Sequence, residues 1–420
     1  MGMQPVTVDF SSPEVIADPF SVLHRLMRED PVHWNPGLRG WCLTRYDDVT
    51  SGFLDKRFSS DRVAPFLEQA THLPGDLREE LRRVISLWLV FVDPPDHTRL
   101  RKLVAHGFTG RAIRRLETRI REISVELVDV IESGMNDGSG RVRFDLIRDF
   151  AYPLPARVIA YILGVPVSDI GELKRWSDDI AAFVLGARLD EDKYRRSAQS
   201  AREMRCYFEA LIARRREDPG TDIIDDLIAA HDGTDRLSED ELVATCVLLL
   251  FAGHETTTQL FGNGILALLR HPDQQSDFVT NLADRGLVEN TVEEMLRYDG
   301  PTVAMVRILN QHVTVHGVEM AEGQRVFIFP AAAGRDPRVF DAPDRFDIRR
   351  VNARRQVNFG HGIHLCLGAR LARTEARIAL PILFGRLTNL RLEDKQPSWN
   401  DSLIIRGLKS LSLSCRRSQP

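Results

Sequence analysis

The sequence predicts a mainly α-helical protein with a small β region. Apolar residues recur at three- and four-residue spacing, as on one face of a helix, in the segments 98–108, 112–133, 156–164, 197–216 and 238–270. Strand-like alternation is confined to residues 41–44 and to residues 303–329, where Gly317 and Gly323 mark turns. No linker rich in proline, glycine or serine divides the 420 residues, so we expect a single domain over 1–420.

The composition is that of an ordinary globular chain. Apolar residues make up 43% and charged residues 28%, which excludes wholesale disorder. A formal charge of −4 provides no general attraction to nucleic acid or to an anionic membrane. The N-terminus lacks a signal-peptide pattern, and the longest strongly apolar stretch, 247–252, is far below the ~20 residues of a membrane span. We therefore expect a cytoplasmic protein without a membrane anchor.

Five cysteines, an odd number, lie far apart at Cys42, Cys206, Cys246, Cys366 and Cys415. This spacing argues against a disulfide framework and against a structural zinc site of the Cys-x-x-Cys kind. It also agrees with a reducing compartment.

The segment 238–270 predicts a helix long enough to cross the molecule, yet its middle does not suit a helix. Ser238 and Glu241 form a capping box, and His271-Pro272 is a stop signal. Between them, the stretch 252–258 reads Ala-Gly-His-Glu-Thr-Thr-Thr, which lowers helix propensity by ~2–3 kcal/mol. Residues that disfavour the local secondary structure often mark functional sites, so we interpret this stretch as a functional site. The alternative is a tolerated helix bend with a solvent-facing glutamate.

Cys366 lies in a glycine-rich frame, Phe-Gly-His-Gly-Ile-His-Leu-Cys-Leu-Gly over 359–368, just before a predicted helix at 369–380. The glycines allow tight turns or a close approach to something flat or large. A helix N-terminus stabilises a thiolate. Two other interpretations stay open: a zinc site with His361 and His364, which lacks a fourth ligand, and a small buried apolar residue.

This frame resembles the haem-binding signature of the cytochrome P-450 superfamily, and other segments resemble further motifs of that family. Residues 252–256 resemble its oxygen-activation stretch, and residues 93–101 resemble the start of the helix that supplies haem-propionate partners. Glu294 and Arg297 resemble its Glu-x-x-Arg pair, which with Arg345 locks the irregular segment before the cysteine. One departure is Gly334, where the family more often has asparagine. The length resembles that of the soluble bacterial branch.

The resemblance implies the cytochrome P-450 fold, haem b (iron protoporphyrin IX) with Cys366 as the iron ligand, and a monooxygenase. The reaction would place one oxygen atom of O₂ into a hydrophobic small molecule, by hydroxylation or epoxidation. Glu255 and Thr256 would deliver protons. The implied cofactor-binding residues are His97, Arg101, Arg307, Phe359, His364, Cys366 and Gly368. The implied pocket residues are Trp88, Leu89, Val90, Phe91, Leu248, Phe251, Ala252, Val303, Ala304, Met305 and Ile404.

The residues leave alternatives beside these roles. Thr291 and Glu294 also form a capping box, so Glu294 could cap a helix or join Arg297 in a surface pair worth under ~1 kcal/mol. His97 and Arg101, four residues apart, repel each other unless an anion lies between them, and solvated cations are the other interpretation.

Electrons are expected from a ferredoxin and its NAD(P)H-dependent reductase, since no flavin-binding segment is evident. An acidic partner fits a cluster of basic residues, for which a solvated charged face is the alternative. The cluster comprises Arg370, Arg373 and Arg377 in one stripe, with Arg349, Arg350, Arg354 and Arg355 just upstream, and the resemblance places Lys102 nearby. Two rival functions are a peroxide-driven haem-thiolate enzyme and a non-catalytic haem-thiolate sensor. The pair Glu255-Thr256 argues against both.

Overall fold

Helices account for most of the regular structure, as the sequence predicts. A computed structural model describes residues 8–134, 141–185, 191–220, 222–232, 237–394 and 396–417. Its α-helices are Pro13–Ala17, Phe20–Glu29, Tyr46–Leu54, Val63–Gln69, Gly75–Ile85, Asp96–Val104, Gly110–Ser133, Pro153–Ile162, Ile170–Val184, Glu191–Glu217, Ile223–Asp232, Glu239–Arg270, Pro272–Thr280, Arg285–Asp299, Pro330–Ala333 and Ala369–Arg386. None of the helices in these ranges is long and apolar enough to cross a membrane.

The strands form a small β region. They are Val32–Asn35, Gly40–Leu43, Phe58–Ser59, Val142–Asp145, Met305–Leu309, Val313–Val315, Val318–Met320, Arg325–Ile328, Leu387–Leu392 and Ser412–Arg417. In the five-stranded sheet, Gly40–Leu43 pairs in parallel with Arg325–Ile328, which pairs antiparallel with Met305–Leu309. Both predicted strand regions are therefore confirmed. The three-stranded sheet at Val142–Asp145, Leu387–Leu392 and Ser412–Arg417 is an addition that alternation did not predict.

The chain divides into two compact units. The first contains residues 1–58, 113–155 and 255–420, and the second contains residues 59–112 and 156–254. The sheets lie in the first unit, apart from Ser59 at the end of one edge strand. The expectation of one domain over 1–420 stays a prediction.

The long helix begins where its cap predicts. The Glu241 carboxylate accepts from the Ser238 backbone N–H at 2.7 Å, and the Glu241 N–H donates to the Ser238 hydroxyl at 3.1 Å. The helix runs from Glu239 to Arg270, roughly 50 Å at 1.5 Å per residue. It is continuous through residues 252–258, so the unfavourable residues do not interrupt it.

The segment 330–358, which leads to the cysteine, is largely irregular apart from Pro330–Ala333 and a 3₁₀ turn at Ala353–Arg355. The departure at Gly334 has a local reason. A Cβ there would lie 2.6 Å from the carbonyl oxygen of Arg297. Glycine therefore fits this close approach better than a larger residue would.

Candidate functional site

The Cys366 loop is a series of tight turns held by backbone hydrogen bonds. Gly360 and Gly362 have φ values of +75° and +70°, a region that favours glycine. The Cys366 N–H donates to the Phe359 carbonyl at 2.9 Å, which closes the loop. The helix Ala369–Arg386 begins three residues later, with Gly368 at its N-cap. The Cys366 Sγ is 3.9 Å from the place that a Cβ on Gly368 would occupy, so the sulfur lies beside the start of this helix.

Cys366 is exposed, which excludes the interpretation of it as a small buried apolar residue. Cys42, Cys246 and Cys415 are buried, and burial raises the pKa of Cys246 to about 12. A thiol with that pKa stays protonated at neutral pH. Cys206, the other exposed cysteine, lies inside the helix Glu191–Glu217. Within the described ranges, no group of three histidine, cysteine or acidic side chains is placed to hold a metal ion.

The loop suits a haem that is bound through its iron. The exposed Cys366 follows two apolar residues, Ile363 and Leu365, that are also exposed. Exposed apolar residues this near the cysteine in the chain favour the binding of a large apolar group. The helix N-terminus beside the sulfur favours the thiolate over the thiol. Arg307, in the same unit, is a buried cation on the strand Met305–Leu309.

Two of the implied propionate partners lie on the helix Asp96–Val104 of the second unit. His97 is buried, and Arg101 is half-buried one turn later. Burial, followed by the charge of Arg101, lowers the pKa of His97 below its ordinary value. His364, in the first unit, is half-buried at the end of the turn Gly362–His364. The repulsion expected from the sequence is therefore present in the structure, because the charge of Arg101 disfavours protonation of His97.

The residues at 253–256, which do not favour a helix, have different structural environments in the long helix. Gly253 allows a close approach, since a Cβ there would lie 2.9 Å from Cγ1 of Ile159. His254 is buried, and its Nδ1–H donates to the Leu250 carbonyl one turn earlier at 2.7 Å. Glu255 and Thr256 are both half-buried, so they are neither in the core nor fully solvated.

The predicted pocket residues differ widely in exposure. In the second unit, the Trp88 ring packs on Phe91 and Phe251 with centroids 5.8 and 5.1 Å apart, and Ala252 is exposed. In the first unit, Met305 and Ile404 are partly buried, whereas Val303 and Ala304 belong to a hydrophobic core cluster. Ala304 is 0% exposed, so its side chain is not part of an accessible wall.

Glu294 and Arg297 form a buried ion pair, and both side chains are 0% exposed. The capping alternative is wrong, because the helix starts at Arg285 with Asp284 as its N-cap. The expectation for Arg345 also needs a correction. Its side chain is exposed and only its carbonyl accepts from Arg297, whereas the buried Arg350 contacts Glu294 at 3.2 Å. The turn at 342–345 therefore contacts Arg297 through its backbone carbonyls. The second guanidinium that contacts Glu294 is that of Arg350.

The basic cluster is largely engaged in ion pairs inside the first unit. Arg349 pairs with Asp277, Arg350 with Glu294, Arg373 with Glu293, and Arg377 with Glu117, at 2.5–3.2 Å. Arg354 is exposed and 3.6 Å from Glu289. Arg370 is exposed at the start of the helix Ala369–Arg386. Sequence reasoning did not identify Glu293, although the doublet Glu293-Glu294 was visible.

Comparisons with known proteins agree with this geometry. The family model described as Cytochrome P450 matches residues 85–411. The chain is 38% identical to a Vitamin D(3) 25-hydroxylase of Pseudonocardia autotrophica, over 94% of each chain. It is 39% identical to the cytochrome P450 monooxygenase PikC of Streptomyces venezuelae, over 96% of this chain and 92% of that one. The crystal structure of CalO2 superposes with a TM-score of 0.89 at 33% identity, over 98% of this chain and 100% of that one. The chain belongs to the cytochrome P450 family, and it is a haem b monooxygenase.

Proposed function

We propose that Cys366, as the thiolate, is the ligand of the haem iron. The observation that carries this proposal is an exposed cysteine at the end of a glycine-turned loop, beside a helix N-terminus. When bound, haem b supplies the iron at which O₂ is activated. The free amides at the start of Ala369–Arg386 would hold the negative charge of the sulfur. The family resemblance supports His97, Arg101, Arg307 and His364 as partners of the haem propionates.

Replacing Cys366 with histidine should abolish the red-shifted Soret band of the reduced CO complex, because that band reports thiolate ligation. The measurement is the CO difference spectrum of the purified holoenzyme. Cys206→Ser is the matched control, since it alters the other exposed cysteine, and it should keep the band. A thiolate spectrum in Cys366→His would contradict the assignment.

Glu255 and Thr256 are proposed to deliver protons. Their half-buried positions support this role, because a relay must reach both an apolar interior and bulk water. A hydroxyl can hold water near the reacting oxygen, and a carboxylate can exchange protons with solvent. A peroxide-driven enzyme and a sensor would have no need for this pair.

The substrate is proposed to be a hydrophobic small molecule that is hydroxylated or epoxidised. The aromatic cluster of Trp88, Phe91 and Phe251 and the exposed Ala252 support an apolar wall in the second unit. Two relatives are named Vitamin D(3) 25-hydroxylase and 6-deoxyerythronolide B hydroxylase, and these names support hydroxylation of a compound such as vitamin D(3) or 6-deoxyerythronolide B. A spectral titration with such compounds, which monitors the shift of the Soret band on binding, tests this proposal.

The electron donor is proposed to be an acidic ferredoxin, with its NAD(P)H-dependent reductase, in the cytoplasm. The internal ion pairs leave Arg370 as the better probe of docking, because reversing Arg373 would also disrupt its contact with Glu293.

Arg370→Glu should raise the apparent KM for ferredoxin, because the reversed charge repels an acidic partner. The wild-type rate should also fall with salt, since charges are screened over ~10 Å at 0.1 M. Steady-state turnover at varied ferredoxin concentration measures both effects. The control Arg391→Glu reverses another exposed arginine, on the strand Leu387–Leu392, and should leave the KM unchanged. Equal KM values for Arg370→Glu and Arg391→Glu would show that ferredoxin does not dock at Arg370.

A further inference from the structure

A buried carboxylate holds a guanidinium against the ring of Phe359. Arg373 donates to Glu293 from Nε at 2.5 Å and from Nη2 at 3.0 Å, a two-point contact that fixes the plane of the guanidinium. Glu293 is 5% exposed and also accepts from Nε2 of Gln356 at 3.0 Å. The Glu293 carboxylate therefore accepts hydrogen bonds from two side chains, Arg373 and Gln356, and these bonds restrict its movement.

The guanidinium in turn contacts the Cys366 loop through an aromatic face. Cζ of Arg373 lies 4.5 Å from the centroid of the Phe359 ring, within cation–π range. The carbonyl of Phe359 accepts the hydrogen bond from the Cys366 N–H. The contacts thus run from Glu293 through Arg373 and Phe359 to the backbone of Cys366. Because the Arg373 side chain is 39% exposed, water screens its charge only in part.

We propose that Arg373 is a positioning residue that keeps a positive charge beside the Cys366 loop and raises the reduction potential of the iron. This inference rests on the proposed ligation by Cys366. Reduction adds one electron to the site, so a fixed cation nearby stabilises the reduced state relative to the oxidised state. Glu293 aims that cation, and its own negative charge offsets part of the effect. The pair therefore acts as an oriented dipole with its positive end at Phe359.

The two members of the pair should shift the potential in opposite directions. Arg373→Met removes the cation and should make the potential more negative. Glu293→Gln keeps an amide that can still bond to its neighbours but removes the negative charge, and it should make the potential less negative. Arg373→Lys, which keeps the charge without the planar two-point contact, should fall between Arg373→Met and the wild type. A role limited to supporting the loop predicts shifts of the same sign in Arg373→Met and Glu293→Gln, because both changes loosen the same contact.

The experiment is a mediated spectroelectrochemical titration of each purified holoenzyme, which needs no ferredoxin and no turnover. Arg370→Met is the matched control, since it removes an exposed arginine from the same helix three residues earlier. Its shift should be smaller than that of Arg373→Met. Equal shifts in these two variants, or shifts of one sign in the two members of the pair, would overturn the inference. The CO difference spectrum of each variant separates the two hypotheses. If all variants show the thiolate band, ligation by Cys366 is retained and the potentials test the role of Arg373 alone. If the wild type lacks the band, both the ligation proposal and this inference are overturned.

Discussion

Arg297→Met is expected to leave little folded protein. The guanidinium of Arg297 is fully buried and donates to both carboxylate oxygens of Glu294, at 2.7 and 2.8 Å. It also donates to the carbonyls of Gly334, Pro343 and Arg345, at 2.8–3.0 Å. A single side chain therefore joins the helix Arg285–Asp299 to the irregular segment that leads to the cysteine.

The expected cost is large because the partners stay buried. Removing one member of a buried ion pair typically destabilises a protein by about 3–5 kcal/mol, since the other charge is left without compensation. The three carbonyls would also lose a donor. The total approaches the ~5–15 kcal/mol by which domains are stable. Arg350, at 3.2 Å, would still meet part of the charge of Glu294, but it would not replace the contact to Gly334.

Denaturant unfolding and the yield of folded holoenzyme measure this effect. Arg297→Lys should be nearly as damaging, because an ammonium group cannot reach the same set of acceptors. The control is Arg349→Met, which breaks the partly exposed pair with Asp277 and should cost under ~1 kcal/mol. If Arg297→Met unfolded at the same denaturant concentration as Arg349→Met, the pair would not be what holds the segment.

Thr256→Ala is expected to separate NADPH consumption from product formation. The substitution replaces a half-buried hydroxyl in the helix Glu239–Arg270, and alanine is the better helix former. Folding, haem content and substrate binding should therefore be retained. Proton delivery by a placed group typically accelerates a step by ~10²–10⁴-fold. Product formation should fall by about 10²-fold or more, and the reducing equivalents should appear as hydrogen peroxide.

The measurement is the ratio of product, hydrogen peroxide and NADPH consumed, with a substrate that binds the wild type. Thr258→Ala is the matched control, because it makes the same chemical change at a buried position in the same helix and should stay coupled. Glu255→Gln should instead slow the whole cycle, since it removes the group that exchanges protons with solvent. A fully coupled Thr256→Ala enzyme would assign proton delivery to ordered water or to the substrate.

Local signals in the sequence were enough for the features whose partners lie nearby in the chain. The capping box of Ser238 and Glu241 predicts the helix start at Glu239, because both hydrogen bonds join residues three apart. The glycines around Cys366 predict tight turns, because a positive φ is a property of a single residue. The motif resemblance then identifies the family, which the matched residues 85–411 confirm.

Contacts between distant segments were beyond these signals. Propensity treats Gly253 as a weakness of the helix, yet its reason is the nearby Ile159. Glu375 follows Arg373 in a predicted helix, and nothing in its neighbours indicates that it is 1% exposed and that burial raises its pKa well above the usual range. Burial of this kind depends on which helices pack around a residue, and packing is a property of the folded chain.

The arginines around the cysteine illustrate the same division. Motifs along the chain indicate an irregular segment before Cys366, a Glu-x-x-Arg pair available to hold it, and basic residues nearby. The motifs do not indicate that Arg350 rather than Arg345 reaches Glu294, or that Arg373 contacts Glu293 and Phe359, and these contacts appear in the folded chain. The physical reason is that an arginine side chain is long and flexible, so its partner depends on which buried carboxylate the fold brings within about 3 Å.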